Sequence, residues 1–293
     1  MTITLPFKQM DVFTTTKFKG NPVAVVNCMG IDESDITAQQ MQDISRWTNL
    51  SETTFLFKPT SPEYDYKLRI FTPAIELPFA GHPTVGSCKA FLEFTNNTTA
   101  TFVKQECGLG IINLTIKLGE IFFKAERADI DKIDKEAMED YAKALGISVT
   151  KEPLVLDVGP YWVVFHVKDA ETCYNANPNY SELAAVSEKF GHTGIIMAGP
   201  KSSGSSLEYE MRAFAPSIGI NEDPVCGSGS IALIAYLQEI YSFEKTTNVT
   251  ISQGGRISRK GEIHSKIEII DQGNPNFISG GNAISIIAGE INI

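Results

Sequence analysis

Several absences narrow this sequence before any motif is read. No apolar run approaches the ~20 residues that cross a bilayer, and the start, "MTITLPFKQMDVFT", alternates like a strand and lacks the basic-then-apolar form of a leader. A cytoplasmic protein with no membrane partner is therefore expected. Lys and Arg number 25 against 35 Asp and Glu, for a formal net charge of −10, and they form no cluster. Duplex binding needs clustered cations to replace counterions, so no nucleic-acid partner is expected. Cysteine is sparse and odd in number: Cys28, Cys88, Cys107, Cys173 and Cys226. They form no CxxC pair and no Cys/His cluster at zinc spacing, so neither a disulfide framework nor a metal centre is expected. Gly-x-x-x-x-Gly-Lys-Ser/Thr is missing too, which excludes a P-loop.

What is present is a chain of 293 residues, 43% of them hydrophobic, enough for one large or two medium domains. It repeats itself. Arg69-x-Phe71-x-Pro73 matches Arg212-x-Phe214-x-Pro216 at an offset of 143 residues. After a three-residue insertion, Pro78-Phe79-Ala80-Gly81-His82 matches Pro224-Val225-Cys226-Gly227-Ser228 at an offset of 146. A helical pattern with Met41, Ile44, Trp47 and Leu50 as its apolar positions precedes "SETTFLFKP", and "SELAAVSEKF" precedes "GHTGIIMAGP" in the same way. A weaker echo pairs "GNPVAVV" (20–26) with "GPYWVVF" (159–165). Three echoes in one order predict two similar domains. Each reads as antiparallel strands with one strongly apolar helix, at 83–94 and at 229–240. The expected class is α+β, two pseudo-symmetric domains, each a curved, mostly antiparallel sheet wrapped round a central helix. "PKSSGSSLEYE" (200–210) reads as a flexible loop.

Each central helix follows a glycine turn, so two helix N-termini carry unpaired N–H groups and the positive end of a dipole. Such an end suits a carboxylate or phosphate. Gly81 or Gly227 alone could simply make a turn; as a mirrored pair they point to a cleft that takes a small anionic, carboxylate-bearing substrate. Two thiols facing across that cleft would make a two-base racemase. Cys226 stands where one thiol belongs, but its mirror is Ala80, so Cys226 is at most an assisting thiol. Glu52 opens a strand and has no carboxylate twin, its mirror lying near Thr193; partly desolvated, it would titrate near neutrality and move a proton. It could equally be a surface glutamate. His82 could donate to a substrate oxygen or serve a structural hydrogen bond. Asp223, held extended by Pro224, could bind a substrate amine, orient His82 or make an Asx turn. A one-thiol racemase or epimerase using Cys226 with Glu52, and a non-catalytic carboxylate binder, stay open beside an isomerase.

The segments "DVFTTTKFKGNPVAVV", "SETTFLF", "ELPFAGHPTVG", "EDPVCGSGS" and "QGGRISRKGEI" with the closing "ISGGNAISIIAGE" resemble the phenazine-biosynthesis isomerase (PhzF-like) family, related in fold to diaminopimelate epimerase. The resemblance covers essentially the whole chain. The echoes put the domains at 1–120 and 121–281, and the resemblance implies a last strand near 282–293 returning to the first. It implies proton transfer without a cofactor, and a homodimer. By motif the acid/base residue falls on Glu52, and the substrate contacts fall on Gly81, His82, Asp223, Gly227 and Ser228. The chain departs from the pattern in carrying Cys226 where the family commonly has Thr, and in lacking the proline of the Gly-Arg-Pro loop near the end.

Overall fold

The computed structural model describes residues 2–202, 207–270 and 275–293. Of the loop read at 200–210, residues 203–206 lie outside the described residues. Contacts divide the chain into two units, Met1–Lys124 with Gly280–Ile293, and Ala125–Ser279.

The first unit contains β1 (Thr4–Val12), β2 (Asn21–Asn27), α1 (Ala38–Thr48), β3 (Thr53–Phe57), β4 (Tyr66–Phe71), β5 (Glu76–Leu77), α2 (Gly81–Phe94), β6 (Phe102–Cys107), β7 (Gly110–Lys117) and β8 (Glu120–Lys124). The C-terminal strand Ala283–Asn292 lies antiparallel against β1. From there the sheet runs β1, β2, β3, β4, β6, β7, β8, antiparallel except at the β2/β3 and β4/β6 joins. The glycine at position 86 lets α2 approach β1 and β2. A Cβ there would lie 2.5 Å from Val23 Cγ1 and 2.8 Å from Val12 Cγ2. α1 packs on β3 and β4, above a core of Leu5, Val26, Phe55, Phe57 and Phe71. With helices on both faces, β3 is buried at every residue, so it does not alternate as a half-exposed strand would.

The second unit contains β9 (Asp129–Lys132), α3 (Lys135–Leu145), β10 (Leu154–Asp157), β11 (Tyr161–His166), α4 (Ala170–Asn175), α5 (Tyr180–Phe190), β12 (Gly194–Pro200), β13 (Leu207–Ala215), β14 (Ile220–Asp223), α6 (Gly227–Tyr241), β15 (Thr247–Gln253), β16 (Gly261–Glu268) and the first residues of β17 (Asn276–Gly281), whose last two residues fall in the first unit. Its sheet runs β9, β10, β11, β12, β13, β15, β16, antiparallel except at the β11/β12 and β13/β15 joins. The parallel joins fall at the same places as in the first unit, the architecture that the sequence echoes predict. α6 is buried from Gly227 to Leu237 except at Ser228, and α3 and α5 cover a separate core around Tyr141, Phe165 and Phe214.

One expectation fails locally. Trp47, read as part of the inward face of α1, is 83% exposed. At ~100° per residue, Trp47 sits about 120° round the helix from Met41, outside the stripe that Met41 and Ser45 bury.

Candidate active site

In the first unit the site is assembled by two turns. α1 starts at a capping box, in which Thr37 accepts from the Gln40 N–H and the Gln40 side chain accepts from the Thr37 N–H. It stops at Asn49, which adopts the left-handed conformation. The chain then reverses and places Glu52 immediately before β3, its side chain 13% exposed. The second turn precedes β2. Asp11 accepts from the Lys19 and Gly20 N–H groups, both at 2.9 Å. Residue 20 must be glycine, because a Cβ would sit 2.2 Å from the Val12 carbonyl oxygen. Asn21, fully buried, follows.

These turns meet at the start of α2. His82, the second helical residue, is 6% exposed, and its Nε2 lies 3.3 Å from Glu52 Oε2. The Asn21 amide lies 3.4 Å from His82 Nδ1, and the Pro22 carbonyl accepts a hydrogen bond from the ring. Beyond the Glu52 contact, His82 Nε2 has no polar partner among the described residues. Burial pushes the imidazole down to about 3, against the Pro22 hydrogen bond, which favours the cation. His82 is thus neutral across the physiological range. Ala80 occupies the N-cap of α2 and supplies no capping side chain. Pro83 lies within the first turn, where its missing N–H costs little.

The corresponding place in the second unit is built differently. Asp223 ends β14, and its Oδ1 accepts from the Val225 N–H at 2.9 Å. Burial, the largest effect, pushes its carboxyl up to about 6. Gln253, 1% exposed, grips this turn twice: its Oε1 accepts from the Cys226 N–H at 2.9 Å and its Nε2 donates to the Asp223 carbonyl at 2.8 Å. A Cβ at Gly254 would lie 2.5 Å from the Pro224 carbonyl oxygen, and one at Gly261 2.4 Å from Val225. The segment "QGGRISRKG" is therefore the brace of the Asp223–Cys226 turn. Cys226, 4% exposed, is the N-cap of α6: its Sγ accepts from the Gly229 N–H at 3.3 Å. Ser228, the second helical residue, accepts from Trp162 Nε1 at 3.1 Å and lies 3.6 Å from Cys226 Sγ.

Glu52, Gly81 and His82 thus come together in one unit, and Asp223, Cys226, Gly227 and Ser228 in the other. Sequence reasoning missed Asn21, Trp162 and Gln253. All three lie in quoted motifs, but only their contacts, 61, 66 and 27 residues away in sequence, reveal what they do. Among the described residues no group of three His, Cys, Asp or Glu could hold a metal ion. No described helix is long and apolar enough to cross a membrane.

A family model described as phenazine biosynthesis-like protein, PhzC-PhzF, matches residues 10–289. The chain belongs to the PhzC-PhzF family. It is 38% identical to antisense-enhancing sequence 1 of Schizosaccharomyces pombe, over 97% of each protein. It is 30% identical to the trans-2,3-dihydro-3-hydroxyanthranilate isomerase of Pseudomonas fluorescens, over 96% of this chain and 97% of the relative. The crystal structure of a PhzF-family phenazine biosynthesis protein from Bacillus anthracis superposes with a TM-score of 0.85 at 22% identity, covering 99% of this chain and 100% of that one. PhzC-PhzF membership, with relatives named as isomerases along nearly the full length, makes the chain an isomerase.

Proposed function

We propose that this isomerase works without a cofactor, moving a proton within a small amino- or hydroxy-carboxylate, with Glu52 as acid and base. The observation that carries the reading is the Glu52–His82 pair: a largely buried carboxylate 3.3 Å from a buried, neutral imidazole at an N-terminus without a side-chain cap. The Glu52 carboxylate takes a C–H proton from the carbon next to the carboxylate-bearing one, becomes the acid, and returns the proton to another carbon of the same molecule. Nothing is gained or lost overall. The neutral His82 ring, its Nε2 3.3 Å from Glu52 Oε2, holds the carboxyl in place while it carries the proton. The negative charge that builds on the substrate meets the N–H groups of Gly81 and Gly227 and the hydroxyl of Ser228. Asp223 takes the substrate's amino or hydroxyl group. Cys226, buried as a helix cap, is a bystander in this scheme.

The experiment follows a panel of small amino- and hydroxy-carboxylates by proton NMR. It includes trans-2,3-dihydro-3-hydroxyanthranilate, the compound in the name of the P. fluorescens relative. Wild type is expected to isomerise one of them. Glu52→Gln is expected to bind it and turn over ~10²–10⁴-fold more slowly. Activity within a few-fold of wild type would move the chemistry off Glu52. The working form is proposed to be a cytoplasmic homodimer. Sedimentation at about twice the 32.1 kDa chain mass supports the dimer, and a single-chain mass contradicts it.

A further inference from the structure

The first residues of β11 reach the second residue of α6, and the chemistry of that contact is one-directional. An indole N–H can only donate. Trp162 Nε1 donates to Ser228 Oγ at 3.1 Å, so one lone pair of the hydroxyl is occupied and its hydrogen points elsewhere. A second polar contact among the described residues is Cys226 Sγ, 3.6 Å away. Sulfur is a weak acceptor, and this one already accepts from the Gly229 N–H. If the thiol instead donates to Ser228, a second lone pair is filled and the serine hydrogen is released entirely. Either way the hydroxyl hydrogen has no strong acceptor among these partners, and it sits at the positive end of α6.

The indole is held firmly. Trp162 is 4% exposed and pairs in register with Gly194 on β12. A Cβ at Gly194 would approach Trp162 Cζ3 to 2.9 Å, so the glycine makes the space in which the ring lies. The equivalent pairing in the first unit, Ala24 with Thr53, has no such ring.

We propose that Trp162 is a positioning residue that fixes Ser228 as a hydrogen-bond donor, committing this end of the site to an oxyanion of the substrate, a carboxylate in the reading above. The indole takes one lone pair, and the Cys226 thiol, 3.6 Å away, is placed to fill the other; with both filled the hydroxyl can only donate. The inference rests on Ser228 being a substrate contact. It predicts which substrate group lies there and which residue enforces the choice.

The sequence supplies its own probe. There are two tryptophans, and Trp47 is 83% exposed on α1. In a Trp47→Phe protein, Trp162 is the only indole. Sulfate and acetate titrated into it are expected to change the Trp162 emission saturably and to move its single indole N–H resonance, while ammonium at equal ionic strength does neither. Trp162→Phe is expected to weaken sulfate binding, measured by calorimetry, about 5- to 10-fold, the size of one net hydrogen bond. Ser228→Ala is expected to weaken it similarly. In a Ser228→Ala background Trp162→Phe should cost nothing more, because the indole acts through the hydroxyl. A role in packing alone predicts equal losses with and without Ser228, and that result overturns the proposal. So does an indole resonance indifferent to sulfate in the Trp47→Phe protein, a measurement that does not depend on Trp162→Phe folding. Repeating the titration in Glu52→Gln separates the two ideas. The indole response survives there if only the proton-transfer reading is wrong, and the Glu52→Gln turnover defect survives if only this inference is wrong.

Discussion

The two units use one frame for two different ends. In each, the second strand of the repeated sheet reaches the second residue of the central helix. β2 brings Asn21 and Pro22 to His82, and β11 brings Trp162 to Ser228. In the first unit the helix start lacks a capping side chain and faces a carboxylate, Glu52. In the second it is capped by Cys226 and braced by Gln253, and the position matching Glu52 is Thr193, whose hydroxyl is tied to the Tyr161 N–H. The difference teaches that the repeat preserves where a side chain is delivered and leaves open what it meets: a carboxylate beside an imidazole in one unit, an indole on a hydroxyl in the other.

The sharpest way to break this comparison is to exchange its ends. Glu52→Gln is expected to lower turnover by ~10²–10⁴-fold with the melting temperature near wild type. Thr193→Val, at the mirrored position, should leave turnover unchanged. Equal losses would mean that the two ends are not chemically distinct.

The mirrored arginines make a second contrast, now in stability. Arg212 pairs with Glu222 in a two-pronged contact at 2.9 and 2.8 Å, with the side chains 2% and 3% exposed. Arg69 makes the same contact with Glu76, both prongs at 2.7 Å, but those side chains are 20% and 41% exposed. Removing one partner of a buried pair strands the other, so Arg212→Ala should cost about 3–5 kcal/mol in urea unfolding. Arg69→Ala should cost about 1 kcal/mol or less. Similar costs would contradict the difference in burial.

The titrating groups at the two ends should pull stability in opposite directions with pH. Asp223 is raised in the folded state, so its contribution is full below the ordinary carboxylate value and is lost as pH rises through about 6. His82 is depressed, so its contribution is full above the ordinary imidazole value and is lost as pH falls toward about 3. Between about pH 4 and 6 the two slopes oppose each other. Asp223→Asn should make stability rise more steeply with pH in that window, and His82→Gln should make it fall. Chemical unfolding across the window reads both slopes, and an unaltered profile in either variant would contradict that assignment.

The smallest effect concerns the cap. Cys226→Ser keeps an acceptor for the Gly229 N–H and should change stability by less than about 0.5 kcal/mol, whereas Cys226→Ala removes the cap and should cost about 0.5–2 kcal/mol. Thermal melts of the two variants compare them directly.

Much of the frame was legible in the sequence because a repeat betrays itself by offset. The two Arg-x-Phe-x-Pro segments and the two glycine turns land on matching strands and helix starts, β4 with α2 and β13 with α6. The candidate residues were legible as residues standing at those starts. Their supports were not. Asn21, Trp162 and Gln253 act through contacts distant in sequence, and nothing in "GNPVAVV", "GPYWVVF" or "QGGR" says which side chain they will meet. Trp47 misled for a simpler reason: an apolar residue three positions after another looks like part of a stripe, yet the buried stripe of α1 follows Met41 and Ser45 and leaves Trp47 on the rim.

In the proposed scheme one carboxylate, Glu52, both takes and returns the proton. The most direct measurement runs the isomerisation in D2O and uses NMR to locate deuterium in product and in recovered substrate. A single base predicts product labelled at the carbon that receives the proton, at less than full occupancy where the original proton is carried across, and recovered substrate with its configuration intact. Recovered substrate that is epimerised and deuterated at the inverted centre would contradict the claim and make Cys226 the second base.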